Sequence, residues 1–250
     1  MAEQYSRSHV WVRKQLDTII VPASKIASQP TVVIADTTFW GRRYGVCVFR
    51  SAELKKNIWW HEVVSELMAH YYYAKKILEE RGWSFTAAVV DGRRGLFNVF
   101  KGIPVQMCQF HQIKIVIRYI TTRPKTDAGK ELLALVLTLT KTNEEMFTLA
   151  INTWLTKWES FINEKTVSTF ISGKTTSYYT HRGVYSAYNS LKRNLSYLFT
   201  YQKYPELNIP NTTNDLDGSF SNLKKKLSAH HGLRRDRRFK VISEILRGRA

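Results

Sequence analysis

The chain has few cysteines and no long apolar run, and these shortages exclude two classes of protein. Two cysteines in 250 residues, Cys47 and Cys108, cannot make a disulfide framework, so a reducing cytosol is the expected compartment. The longest strictly apolar run, residues 132–137, is too short to span a bilayer. Residues 1–14 lack the apolar stretch of a signal peptide. We therefore expect a cytoplasmic protein that does not enter a membrane.

Acidic residues are scarce as well. Twenty Asp and Glu stand against 38 Lys and Arg, which gives a net charge of +18. This excess favours a polyanionic partner, because each phosphate that is neutralised releases counterions. It is densest in residues 224–250, where ten basic residues face two acids. A solvated helix face is the plain alternative, but such faces usually mix charge signs. The residues expected to contact a DNA backbone are Lys224, Lys225, Lys226, Arg234, Arg235, Arg237 and Arg238.

The order of predicted elements indicates an α/β protein. Apolar and β-branched runs predict strands at residues 31–36, 44–49, 57–61, 85–90 and 105–108. A glycine-containing turn joins the first two as a hairpin. Helical spacing predicts helices over 63–81 and 93–100 and throughout 112–204, where no strand is expected. A last helix is predicted to begin near Thr213.

These elements predict five segments. They are an N-terminal helix and linker (1–30), the first part of a mixed-sheet core (31–111), an all-helical insertion (112–210), the final helix of the core (211–233) and a basic C-terminal tail (234–250).

Two aspartates, Asp36 and Asp91, each follow a run of apolar strand residues. An aspartate at the end of a buried strand is costly unless it is hydrogen-bonded, paired or bound to a metal. Two such carboxylates on neighbouring strands repel each other until a cation neutralises them, and their hard oxygens suit Mg²⁺ or Mn²⁺. Alternatively, each aspartate simply caps the turn that follows its strand.

Four segments in order resemble the DDE transposases of the bacterial insertion-sequence group allied to eukaryotic Mutator-like elements. They are the strand that enters Asp36, the Val-Val-Asp-Gly of residues 89–92, the Cys-Gln-Phe-His of residues 108–111 and the Thr-Thr-Asn-Asp-Leu-Asp of residues 212–217. The likeness covers about residues 31–233. In that group, a Cys-x-x-His pair follows the second aspartate, a helical insertion comes next, and an Asn-x-x-Glu helix supplies the third acid. The resemblance implies an α/β fold, a ribonuclease H-like mixed sheet with flanking helices that an all-α insertion interrupts.

The third acid is predicted to be Asp217, although the family usually has glutamate there. Asp215 is the rival, because both lie on the flanks of the helix face formed by its apolar residues. The spacing from Asn214 selects Asp217. Asp215 is then an acid in the first turn, where its negative charge interacts favourably with the helix dipole.

Cys108 and His111 allow three interpretations. A structural zinc site needs about four ligands, and the chain has only two cysteines. His230 and His231 would have to complete such a site. A buried cysteine beside a turn histidine is the plain alternative. The resemblance implies instead that His111 lies near the active carboxylates and contacts the scissile phosphate or orients a ligand.

The resemblance implies a transposase catalytic domain. Asp36, Asp91 and Asp217 would hold two Mg²⁺ ions, and a water and then a freed 3′-hydroxyl would attack phosphodiesters in line. The implied partners are double-stranded DNA, as transposon ends and target, and further copies of the chain in a homodimer or larger synaptic assembly; the protein would then be nucleoid-associated. Two alternatives remain open: another ribonuclease H-like nuclease, or a catalytically decayed or domesticated DNA-binding protein.

Overall fold

Three antiparallel strands open the sheet of the computed structural model, which describes residues 6–18, 20, 26–93, 95–169, 175–228 and 232–248. They are β1 (Pro30–Phe39), β2 (Gly45–Ser51) and β3 (Lys56–Val63), paired as consecutive hairpins. β2 is buried along its whole length, as the central strand of a covered meander should be. A Cβ at Gly45 would lie 2.6 Å from the Phe39 ring, so only glycine fits beside that side chain.

Two parallel strands complete the sheet. β4 (Ser84–Val90) and β5 (Val105–Met107) pair in parallel, and the strand order is β3-β2-β1-β4-β5. Two helices connect these strands along the chain, α2 (Met68–Glu80) after β3 and α3 (Leu96–Val99) after β4. The expected α/β class, a mixed sheet with flanking helices, is confirmed.

The chain divides into two compact units. Unit 1 comprises residues 1–86 and 214–250, and unit 2 comprises residues 87–213, so the division falls within β4. Unit 1 holds β1 to β3 with α1 (His9–Thr18), α2, α9 (Asn214–Ser228) and α10 (Arg235–Arg247). The five-segment division remains a prediction. None of the described helices has the length and apolar character needed to cross a membrane.

Unit 2 has a helical core. Its helices are α3, α4 (Gln109–Ile120), α5 (Asp127–Leu137), α6 (Glu144–Asn163), α7 (Arg182–Leu198) and α8 (Thr200–Lys203). Thr126 caps α5 by accepting from Gly129 N, and Asn143 caps α6 by accepting from Met146 N. Among the largest fully buried side chains of the core are Leu132, Phe147, Leu191 and Phe199.

Within the predicted insertion, the all-helical expectation is wrong in one respect. A hairpin of β6 (Lys165–Thr169) and β7 (Thr175–Tyr179) lies between α6 and α7. Both strands are largely exposed and rich in Thr, Ser and Tyr. They therefore lack the apolar alternation by which a half-buried strand is recognised.

The segment 234–250, expected as a basic tail, is instead largely helix α10 of unit 1. It packs against β3, where Trp60 Nε1 donates to Ser243 Oγ at 3.0 Å and Asn57 Nδ2 donates to the Leu246 carbonyl at 2.9 Å. Ile242 and Leu246 are fully buried. Its five apolar residues, Phe239, Val241, Ile242, Ile245 and Leu246, are outnumbered by seven charged residues in the same helix.

Candidate functional site

Asp36 lies inside β1 rather than after it. The strand continues through Thr37 and Thr38 to Phe39, since β-branched and aromatic residues favour the extended backbone. Asp36 pairs in register with Val48 and is 7% exposed. Its Oδ1 accepts a hydrogen bond from Thr37 N at 2.7 Å. A carboxylate is thus held in the interior of unit 1.

Asp217 lies close to Asp36 within unit 1. It is in the first turn of α9, which packs against β1 through its buried face of Leu216 and Phe220. One carboxylate oxygen of Asp36 and one of Asp217 lie within 4.8 Å of each other. Two carboxylates at this separation repel unless a cation or a proton lies between them. An all-oxygen donor set of this kind fits Mg²⁺ or Mn²⁺.

A third carboxylate of unit 1, Glu66, was missed by the sequence analysis. It lies in the loop between β3 and α2, and one of its oxygens is within 4.8 Å of an Asp36 oxygen. The Tyr71 hydroxyl donates to Glu66 Oε1 at 2.7 Å, and the Thr37 and Tyr71 hydroxyls lie 2.9 Å apart. Burial raises the pKa of Tyr71 well above its ordinary value, so the phenol remains a donor. Glu66 does not end an apolar run as Asp36 and Asp91 do, and it falls within the helix predicted over 63–81, so no signal in the sequence marks it.

Asp215 is engaged elsewhere. Arg50 Nε donates to Asp215 Oδ2 at 2.7 Å, and Arg50 Nη1 donates to Asn57 Oδ1 at 3.2 Å. The Arg50 side chain is 7% exposed, whereas that of Asp215 is 57% exposed. The acid therefore serves as the counter-ion of a buried guanidinium, and the two rivals for the third position face different partners.

In unit 2, Asp91 directly follows β4, as the sequence predicts. It is half-buried, and its Oδ1 accepts from Arg93 N at 2.9 Å in a turn. A Cβ at Gly92 would lie 2.1 Å from Met107 Cε, so glycine lets this turn pack against the end of β5. Asp91 thus makes the hydrogen bond expected of an aspartate that caps a turn.

Cys108 and His111 lie at the start of α4. Cys108 is fully buried, and both Thr213 N and Thr213 Oγ1 donate to its sulfur at 3.3 Å. Burial alone would raise the pKa of this thiol, but hydrogen bonds from His111 and Thr213 outweigh burial and lower it. In the described part of the chain, neither cysteine belongs to a group of three possible metal ligands. His230 and His231, the other candidate zinc ligands, lie outside the described residues.

Buried amides fix the first turn of α4. Gln109 N donates to the Asn211 carbonyl at 3.0 Å, and Asn211 Nδ2 returns a bond to Gln109 Oε1 at 3.0 Å. Gln109 Nε2 also donates to the Leu198 carbonyl at 2.9 Å. One turn later, Gln112 accepts from Asn194 Nδ2 at 2.8 Å. The backbone that carries His111 is therefore tied to the end of α7 and to the segment before α9.

The basic C-terminal residues are of two kinds. Lys224, Lys225 and Lys226 are exposed on α9. The four arginines of the predicted DNA contact instead interact within unit 1. Arg234 pairs with Asp236 at 3.0 Å, Arg235 with Glu62 at 2.9 Å and Arg237 with Asp17 at 2.7 Å, while Arg238 lies 5.4 Å from the centre of the Tyr44 ring.

A scan against protein-family models and a search of the curated proteins give no match. Among solved structures, the chain is similar to the Drosophila P element transposase strand transfer complex. The identity is 11% over 96% of this chain and 85% of that one, with a TM-score of 0.42. It is also similar to the large terminase nuclease from the thermophilic phage G20c, at 12% identity over 71% of this chain and 95% of that one, with a TM-score of 0.23. Likenesses this distant transfer no function, so the function of the chain has to follow from its own residues.

Proposed function

We propose that the chain is the catalytic domain of a DNA transposase, a divalent-metal-dependent enzyme that cuts DNA at transposon ends and joins the freed 3′-end to a target. The observation that carries this is the pair of carboxylates on β1 and α9, Asp36 and Asp217, with oxygens within 4.8 Å of each other. Asp91 follows β4, the strand next to β1 in the sheet order, and is proposed as the third ligand.

Each residue has a proposed part. Asp36, Asp91 and Asp217 would hold Mg²⁺ or Mn²⁺, and Glu66 would add a fourth carboxylate from the loop before α2. When bound, such ions stabilise negative charge on the entering and leaving oxygens of a phosphodiester. The chain itself supplies the positioning: Thr37 N fixes one Asp36 oxygen, and Tyr71 fixes Glu66.

His111 is proposed to contact the scissile phosphate. Cys108 would hold the turn that presents it, because its sulfur accepts from Thr213 and from His111. The proposed partners are double-stranded DNA and further copies of the chain in a dimer or larger synaptic assembly. The exposed Lys224, Lys225 and Lys226 are the proposed backbone contacts on α9, and Arg234, Arg235, Arg237 and Arg238 are those before and on α10.

The test is a set of isosteric substitutions. Asp36→Asn, Asp91→Asn and Asp217→Asn should each abolish Mg²⁺-dependent strand cleavage and leave DNA binding nearly intact. Asp215→Asn is the matched control on the same helix and should retain most activity. An inactive Asp215 variant beside an active Asp217 variant would reverse the assignment of the third acid. Cleavage without strand transfer by the wild-type protein would favour another ribonuclease H-like nuclease.

Metal binding gives a readout that does not depend on activity. Mn²⁺ should raise the melting temperature of the wild-type protein, because it binds the folded carboxylates and not the unfolded chain. Asp36→Asn should remove this effect and Glu66→Gln should reduce it. Glu62→Gln is the control, since Glu62 pairs with Arg235. Equal stabilisation of all four proteins would mean that the metal binds elsewhere.

Two activity measurements address the remaining alternatives. A decayed transposase would bind DNA without metal-dependent cleavage. A faster Asp217→Glu variant would show that the shortened acid limits the rate of cleavage.

His111 is tested by single-turnover cleavage of pre-bound DNA. His111→Ala should slow this step by about 10²–10⁴-fold with little change in melting temperature, as expected for a positioning or proton-transfer group. Cys108→Ser should have a milder, mostly structural effect. Stoichiometric zinc in the purified protein, or full activity of His111→Ala, would remove His111 from the site.

A further inference from the structure

A cleft of about 280 Å³ opens in unit 2 where α4 ends and α7 begins. Its walls come from the last turn of α4, the segment before α5 and the first turn of α7. Tyr119 lies at one side and is 44% exposed. Its polar lining includes Tyr119, Lys125, Thr126, His181 and Arg182. The proposed catalytic residues do not line it.

The cations of this cleft are not neutralised. Lys125 and Arg182 line it and are exposed, and neither forms an ion pair with any described residue. Arg118 and Arg123 lie next in sequence to lining residues and are likewise exposed without an acidic partner in the described ranges. Two positive charges without an acidic partner among the described residues thus line the cleft, and two more belong to residues next to it in the sequence.

The acids of this region already have partners. Asp127 pairs with Lys130 at 2.8 Å, and Glu164 Oε2 is hydrogen-bonded to His181 Nε2 at 3.0 Å, a contact that is an ion pair only when the imidazole is protonated. The lowered pKa of Asp127, caused first by its hydrogen bond from Lys130, keeps this carboxylate ionised and engaged. The cleft therefore presents a net positive surface that the chain itself does not neutralise.

Backbone groups add to the attraction for an anion. The α7 helix is 17 residues long, and its first turn, at Arg182 and Gly183, borders the cleft. The backbone amides of a first helical turn have no acceptor within the helix, so they attract anions. A Cβ at Gly183 would lie 2.7 Å from the Tyr119 carbonyl oxygen, so only glycine lets this helix begin so close to α4. The His181 ring, stacked on Phe161 at 3.5 Å, is held in place at the same edge.

We propose that this cleft binds a backbone phosphate of DNA. Its donors are charged side chains and backbone amides, which match phosphate oxygens and carry no base information. The neighbouring hairpin supports a nucleic-acid source for the phosphate, because Tyr178 on β7 is 50% exposed and Lys165 on β6 lies 5.5 Å from the Tyr179 ring centre. The choice of DNA rests on the proposed function, whereas the phosphate chemistry does not.

The experiment compares two double variants of the full chain in metal-free buffer. Lys125→Gln with Arg182→Gln removes the two unpaired cations. Lys130→Gln with Lys157→Gln removes two cations of the same unit that are already paired with Asp127 and Glu131. In the first variant, the slope of log affinity against log salt for duplex DNA should become shallower by about 0.9 for each phosphate that the protein no longer neutralises. The slope should change less in the control, and melting temperatures should match the wild type in both.

Inorganic phosphate tests whether the cleft binds a phosphate of DNA or free phosphate. Phosphate should stabilise the wild-type protein against heat more than the Lys125/Arg182 variant, and DNA should compete with it. Equal salt slopes for both double variants would overturn the proposal. Stabilisation by phosphate together with an unchanged DNA slope would overturn DNA as the ligand and leave a site for free phosphate. Because no metal is present, these outcomes are separate from a failure of the cleavage assay with Asp36→Asn.

Discussion

The two units differ in whether they bury ionisable side chains. Unit 1 buries Asp36, which is 7% exposed, and Arg50, which is paired with Asp215, beside the neutral amide of Asn57. The interior of unit 2 holds neutral amides, among them Gln109 and Gln112, which bond to a backbone carbonyl and to the Asn194 amide. Buried charges need counter-charges, so the stability of unit 1 should depend on metal, salt and alkali. Hydrogen-bonded amides need only well-placed partners, so the stability of unit 2 should depend on side-chain geometry.

The largest effect in this comparison is expected for an amide of unit 2. Asn194→Leu leaves Gln112 Oε1 without its donor at 2.8 Å and should lower the free energy of unfolding by about 2 kcal/mol. Asn152→Leu, on the exposed surface of α6, should change it by less than about 0.5 kcal/mol. Denaturant titrations at low and high salt should give the same difference. A loss that shrinks with salt would mean that charge, not hydrogen-bond geometry, controls this interior.

A smaller effect is expected for the ion pair of unit 1. Asp215→Asn weakens a charge-assisted bond to buried Arg50, and because Asp215 is 57% exposed we expect a loss of about 1 kcal/mol. This loss should decrease at high salt, unlike that of Asn194→Leu. Glu80→Gln, which removes the exposed pair with Lys76, should have no measurable effect. If salt leaves the Asp215 loss unchanged, the contrast between the units is not electrostatic.

The smallest effects come from the two cysteines, which should respond to alkali with opposite signs. Burial raises the pKa of Cys47 in unit 1 to about 12. Its thiol therefore contributes stability below the ordinary pKa of 9.0, which is lost as the pH rises from there toward 12. The pKa of Cys108 in unit 2 is lowered, so its contribution is present above pH 9.0 and is lost as the pH falls through the folded pKa.

The measurement is the free energy of unfolding of Cys47→Ala and Cys108→Ala between pH 8 and 10. Removing Cys47 should make stability fall less steeply with pH, and removing Cys108 should make it fall more steeply. Each change should be below about 1.4 kcal/mol per pH unit, the limit for one proton. Parallel profiles for the two variants would show that the thiols do not distinguish the units.

The sheet could be predicted from the sequence because its strands are apolar and β-branched. All five predicted strands exist, and the sheet class is confirmed. The predicted end of β1 at Asp36 is too early, since an aspartate usually ends a strand, whereas here Thr37 and Thr38 continue it. The polar hairpin β6–β7 was missed because it lacks the apolar periodicity on which such predictions depend, and α10 was missed because its charged residues outnumber its apolar ones.

The candidate site could be predicted only where a residue is tied to a pattern. Asp36 and Asp91 follow apolar runs, and Asp217 has its spacing from Asn214. Glu66 lies in a loop, and its proximity to Asp36 comes from the return of the chain after β3. Likewise, the basic charges of residues 234–238 are visible in the sequence, but their pairing with Glu62 and Asp17 depends on the fold.

The division within β4 has a consequence for synthesis on the ribosome. Unit 2 is one continuous segment, 87–213, whereas unit 1 is completed by residues 214–250. Because chains emerge from the amino end and units fold as their sequence becomes available, the helical unit can form while unit 1 still lacks α9 and α10. Asp36 is made early and Asp217 late, so a nascent chain carries only half of this acid pair until translation has passed both.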